Sequence, residues 1–92
     1  MGKKKVINKN NPDAFKEAGN KAFAAKNFDE AISNYSQAIA IQPNHIYYAN
    51  RANAYLEKNE FEQCITDCEE SIKLEPSFSK SYYRQAKAMV NL

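Results

Sequence analysis

Residues 28–43 read FDEAISNYSQAIAIQP, and residues 61–76 read FEQCITDCEESIKLEP. Phe28 aligns with Phe61, Ala31 with Cys64, Ile32 with Ile65, Ile39 with Ile72 and Pro43 with Pro76, at a constant offset of 33 residues. In each copy the apolar residues recur at three- and four-residue spacing, the period of one helical face. A period in the thirties with helical patterning marks a solenoid of stacked helix pairs, since one pair cannot bury its apolar face alone.

Working outward, the proline closing each copy ends a helix, because the residue before proline is forced out of helical geometry. Helices are expected at about residues 12–26, 29–41, 45–58 and 62–74 and from about residue 78 onward. Pro12 suits a first turn, where its missing N–H had no partner anyway. The expected inward sets are Phe15, Ala18, Gly19, Ala22 and Phe23; then Ala31, Ile32, Tyr35, Ala38 and Ile39. Tyr48, Ala52, Tyr55 and Leu56, with Ala49 close behind, follow on the third helix, and Cys64, Ile65, Cys68, Ser71 and Ile72 on the fourth. Gly19 in mid-helix costs about 1 kcal/mol of propensity against Ala, which close approach of a partner helix would explain. The fold class is all-α: antiparallel helix hairpins, with the first helices of successive hairpins lining one surface. The fifth helix has no sixth to pack on, so an uncovered edge is expected at Ala86 and Met89, with weak self-association as one consequence. The ending at Leu92 reads as a truncation, and Met89, Val90 and Leu92 as exposed.

Composition narrows the function. The chain has 92 residues, 43% of them hydrophobic, and a formal net charge of +2. That balance implies no broad basic surface for nucleic acid, and no apolar run approaches the roughly 20 residues of a membrane span. Cys64 and Cys68 lie one helical turn apart and are read as small core hydrophobes. With no distant partners for disulfides they point to a reducing compartment, the cytoplasm, with the nucleus as alternative. No nucleophile and base, phosphate-cradling loop or metal-ligand spacing is present, so neither an enzyme nor a cofactor is expected. Lys3, Lys4 and Lys5 open a polar run, residues 1–11, read as a flexible basic lead-in; three lysines are weak evidence for an address signal.

The residues now quoted resemble the tetratricopeptide repeat family. Gly19, Ala22, Phe28, Ala31, Tyr35, Ala38 and Pro43 stand at that family's signature positions in one unit. Tyr55, Phe61, Cys64, Cys68, Ser71 and Pro76 do so in the next, with Ala52 in place of Gly19, while Tyr82, Ala86 and Met89 begin a third. The resemblance implies a repeat domain over residues 12–92, with units at about 12–44 and 45–77 and an incomplete one at 78–92. The family unit has 34 residues; the missing one is expected in the turn at residues 42–45.

A narrower resemblance concerns partners. The runs KEAGN (16–20), YANRA (48–52) and SKSYYR (79–84) are similar to co-chaperone repeat domains. IYYANRA and SYYRQA resemble those of protein phosphatase 5, and similar domains occur in stress-induced organiser proteins and large immunophilins. The resemblance implies a two-carboxylate clamp for the acidic, EEVD-like C-terminal tail of Hsp70 or Hsp90, formed by Lys16, Asn20, Asn50, Lys80 and Arg84. Lys16 and Asn20 share one helical face, as do Lys80 and Arg84, each pair about 6 Å apart along its axis. Amides donate hydrogen bonds without adding charge, Arg grips a carboxylate with two parallel bonds, and Lys acts as a point charge. Mid-helix Asn loses propensity for nothing on a plain surface. Two alternatives remain: a generic scaffold for another acidic or helical segment, and the targeting domain of a larger enzyme such as a phosphatase or prolyl isomerase. Arg51 reads equally as a ligand contact or as the partner of a neighbouring acid.

Overall fold

The computed structural model describes residues 10–92, so residues 1–9 of the expected lead-in lie outside that range. Five helices follow one another: α1 (Pro12–Ala24), α2 (Phe28–Ile41), α3 (His45–Glu57), α4 (Phe61–Leu74) and α5 (Ser79–Val90). No strand occurs among the described residues. Asn11, the last residue of the expected lead-in, caps α1: its side-chain Oδ1 accepts from Asp13 N at 3.1 Å. Asn44 does the same for α3, accepting from Ile46 N at 2.7 Å. Each cap satisfies an amide that the helix itself leaves unpaired.

The helix-to-helix turns explain why α1 stops short of the expected Lys26. Lys26 takes φ 63°, in the left-handed region. Asn27 N donates to Ala22 O, and Lys26 N to Phe23 O, closing the last carbonyls of the helix. The same device recurs one unit later at Asn59, φ 61°, with Glu60 N to Tyr55 O and Asn59 N to Leu56 O. Lys26 carries no left-handed signal in its residue type, whereas Asn59 does and was overlooked. The turns after α2 and α4 differ: residues 42–44 span the first and residues 75–78 the second. The 33-residue offset therefore arises in the turn that contains Pro43, as expected.

Helices α1, α3 and α5 lie side by side, and α2 and α4 pack across them. Gly19 is buried, and a Cβ there would sit 2.5 Å from Cε1 of Tyr35. Any side chain at that position would collide with the tyrosine ring of α2, so the close approach inferred for Gly19 is real. Two core clusters result: Ala22, Ala31, Tyr35 and Ala54 in one, and Ala52, Leu56, Cys64, Cys68 and Ala88 in the other.

Helix α3 serves both clusters, which corrects its expected inward set. Its buried residues are Tyr47, Ala49, Ala52, Ala54 and Leu56, whereas Tyr48 and Tyr55 are half-buried. A helix with neighbours on both sides buries more than a single stripe. On α5 the buried residues are Ser81 and Ala88, while Ala86 and Met89 are exposed, as expected for that edge. Ser81 was not foreseen. It hydrogen-bonds Ser71 at 2.6 Å, and Ser71 in turn donates to the His45 carbonyl at 2.9 Å, so the buried hydroxyls are satisfied within the stack.

Candidate functional site

The five residues singled out above lie on α1 (Lys16, Asn20), α3 (Asn50) and α5 (Lys80, Arg84). Asn20 and Asn50 meet across α1 and α3: Asn50 Nδ2 donates to Asn20 Oδ1 at 3.4 Å. The same Oδ1 accepts a shorter bond, 2.6 Å, from the hydroxyl of Tyr35 on α2. Tyr35 is 2% exposed, and burial pushes its hydroxyl up to about 12, with the nearby Arg84 charge acting weakly the other way. It remains a donor throughout the neutral range.

Arg84, on α5, reaches the same region from the opposite side. Its Nη1 donates to the carbonyl of Ala49, the residue before Asn50, at 2.8 Å. The guanidinium is half-buried, and burial lowers its pKa from the usual arginine range. Among the described residues no carboxylate lies within ion-pair reach of it. Lys16 stands one turn before Asn20 on α1, with Nζ 3.8 Å from Asp13 Oδ1. That carboxylate also accepts from the hydroxyl of Tyr47 at 2.5 Å. Lys80, the second residue of α5, is exposed. The structure thus joins Asn20, Asn50 and Arg84 through bonds to and beside α3. Lys16 and Lys80 are attached to this group only through their own helices.

Arg51 is different. Its Nε and Nη2 each bond an oxygen of Asp67 at 2.7 Å, and Nη1 donates to Ser36 Oγ at 3.0 Å. The paired bonds that Arg51 donates to Asp67 raise its pKa, although burial works against the charged form. The side chain ties α3 to α4 and α2, which resolves the sequence alternative in favour of a structural partner. Asp67, 3% exposed, was missed as a core residue because its charge argued against burial. Cys64 and Cys68 are both buried free thiols, as their packing positions implied. Interaction with Cys64, then burial, pushes the Cys68 thiol up.

Three groups near the site escaped the sequence reading: Asp13, the Ala49 carbonyl and the Tyr35 hydroxyl. Only the last left a signal. A tyrosine at a core position brings a hydroxyl that needs a partner, where phenylalanine would have filled the same space. Among the described residues no cluster of three or more His, Cys, Asp or Glu could hold a metal ion, and no helix is long and apolar enough to cross a membrane.

Comparison with known proteins places the repeats and their fold among relatives. Two matches to the tetratricopeptide repeat family cover residues 12–45 and 46–78. The heat shock protein STI1 of Saccharomyces cerevisiae is 39% identical over 82 residues, which is 87% of this chain and 14% of that protein. The chain thus spans a small part of that relative's length. Among solved structures, the second such domain of Spaghetti (RPAP3), bound to the HSP90 peptide SRMEEVD, superposes with a TM-score of 0.87 at 34% identity. The match covers 89% of this chain and 77% of that one. The second domain of human RPAP3, in complex with the HSP70 peptide SGPTIEEVD, gives 0.82 at 35% identity, over 84% and 65% of the two chains.

Proposed function

The chain belongs to the tetratricopeptide repeat family, and from that premise we propose that it binds the acidic C-terminal tail of Hsp70 or Hsp90 through the tail's free carboxylates. The observation that carries the reading is Arg84. A half-buried guanidinium with no carboxylate partner among the described residues is a charge awaiting an anion. Arg51, equally buried in its own niche, has that anion in Asp67. A ligand bringing carboxylates to the α1–α3–α5 face would supply what the fold leaves out. Peptides with such ends occupy the related domains of RPAP3, which supports the same reading.

In this proposal Lys16, Asn20 and Asn50 hold the backbone carboxylate at the chain end. Lys80 and Arg84 hold a side-chain carboxylate and a neighbouring carbonyl. Lys16 has only a loose partner in the exposed carboxylate of Asp13 at 3.8 Å, so little is given up when it turns to a ligand. The reading assigns binding and no catalytic step to this chain, and it assigns the activity to the cytoplasm, where thiols such as Cys64 and Cys68 stay reduced.

Calorimetric titration with two peptides tests it. One ends in Met-Glu-Glu-Val-Asp with a free carboxylate, and the other is the same peptide amidated. The free acid is expected to bind at least ten-fold more tightly. Arg84→Ala and Lys16→Ala are each expected to weaken its binding ten-fold or more with the helical circular dichroism unchanged, since losing one partner of a desolvated charge pair costs about 2–5 kcal/mol. Equal binding of the two peptides would sink the clamp and leave a generic repeat scaffold.

A further inference from the structure

We propose that Tyr35 is a positioning residue for carboxylate recognition: its hydroxyl locks the side-chain amide of Asn20 so that the NH2 group, and not the carbonyl oxygen, is what a bound anion meets. The inference rests on the proposed function and deepens it. An asparagine side chain offers an acceptor on one side and two donors on the other. An anion needs the donors, and a free amide can turn either way. Here Oδ1 of Asn20 is occupied twice, by the Tyr35 hydroxyl at 2.6 Å and by Asn50 Nδ2 at 3.4 Å. The first of these is short and comes from a buried group, so it dominates. With Oδ1 held inside the fold, the Nδ2 donors of Asn20 are what remain for a ligand.

The fold goes to some length to bring that hydroxyl there. Tyr35 belongs to α2, the outer helix of the first hairpin, while Asn20 belongs to α1. The ring passes over Gly19, where even a methyl group would lie 2.5 Å from Cε1 and 2.7 Å from Cδ1. The glycine next to Asn20 thus has a purpose beyond helix packing, because it opens the path by which the tyrosine reaches the amide. Burial keeps the hydroxyl protonated, so its proton is always available to Oδ1. Arg84 lies close enough for its charge to act on the same hydroxyl. Preorganisation of this kind lowers the cost of binding, because the amide does not have to be ordered when the ligand arrives.

Tyr35→Phe tests the inference with the ring, and hence the contact over Gly19, retained. The free-acid peptide ending in Met-Glu-Glu-Val-Asp is expected to bind about five- to ten-fold more weakly to the variant, the effect of one hydrogen bond. Its amidated form is expected to bind with unchanged affinity, so the ratio of the two dissociation constants falls. A purely structural role would lower the thermal midpoint and weaken both peptides alike. In the ligand-free protein, 15N relaxation of the Asn20 side-chain amide is expected to show an ordered group in the wild type and a mobile one in the variant. An unchanged peptide ratio, or an amide equally ordered in both proteins, overturns the inference. If the wild type itself does not distinguish the two peptides, the proposed function fails instead, and the relaxation data alone then decide whether Tyr35 holds the amide.

Discussion

Tyr35 and Tyr47 each place one hydroxyl where phenylalanine would have packed as well, and each hydroxyl ties a second element to α1. Tyr35 reaches Asn20, and Tyr47 reaches Asp13. Burial pushes both hydroxyls up to about 12, and for Tyr47 the bond to Asp13 and its charge add to the effect. In the unfolded chain a tyrosine titrates near 10. The folded state therefore keeps its protons over a range in which the unfolded state loses them. The resulting stability is fully present below pH 10 and is lost as pH rises from about 10 to 12. The expected loss is on the order of 1–2 kcal/mol in total, less than the full shifts would give because solvent screens part of each hydroxyl. Urea midpoints measured from pH 8 to 12 check this against a Tyr35→Phe, Tyr47→Phe variant, which cancels the contribution of other titrating groups. The wild-type midpoint is expected to fall more steeply, and parallel curves would contradict the assignment. Tyr35 was legible as aromatic core, whereas Tyr47 stood outside the inward set expected for α3; neither hydroxyl's partner was legible, since Asp13 is 34 residues from Tyr47 along the chain.

Elements are joined in this stack by a few polar ties in addition to apolar packing. The Arg51–Asp67 pair joins α3 to α4, and Ser36 extends it to α2. Burial raises the pKa of Asp67, while the guanidinium of Arg51 opposes that shift, so the carboxylate depends on its partner. Arg51→Ala leaves the charge of Asp67 buried and unpaired, and a loss of about 3–5 kcal/mol in urea unfolding is expected. Arg51→Met combined with Asp67→Leu is expected to recover most of it, because two apolar side chains of similar size need no compensation for desolvation. A loss below about 0.5 kcal/mol for Arg51→Ala, the range of ordinary surface changes, would show that the tie contributes little. At this scale the sequence named the helices well, and it left Arg51 open because its anion lies on the next helix. Asp67 stands between Cys64 and Cys68 in a stripe whose residue types say core, and only the tertiary partner makes a carboxylate tolerable there.

Across the whole molecule stability is uneven. Helix α3 has neighbours on both sides and contributes to both core clusters, whereas α5 packs only on α3 and α4. Tyr82, Tyr83, Met89 and Val90 of α5 remain exposed. In repeat proteins each unit is held chiefly by its neighbours, so an element with fewer of them opens at lower cost. Amide hydrogen exchange is expected to be slowest in α3 and fastest, among the five helices, in α5. Since α5 also carries Lys80 and Arg84, adding the free-acid peptide is expected to slow exchange in α5 more than in α2. Equal protection of α5 and α3 in the ligand-free protein would contradict this picture.

Local rules determined the helices, because a helix depends on period, caps and stop residues that lie within a dozen positions of one another. The repeated stretch, the two stop prolines, Gly19 and the cysteines in the stripe were all readable on those terms. The resemblance then supplied five residues for a binding face. Tertiary structure alone decided which polar groups satisfy one another: Tyr35 with Asn20, Tyr47 with Asp13, Arg51 with Asp67, and Ser71 with Ser81. It also decided that Arg84 bonds the Ala49 carbonyl but meets no carboxylate among the described residues. Hydrogen bonds and ion pairs require atoms within about 3 Å, and which atoms meet depends on how helices cross, information that no spacing along the chain contains.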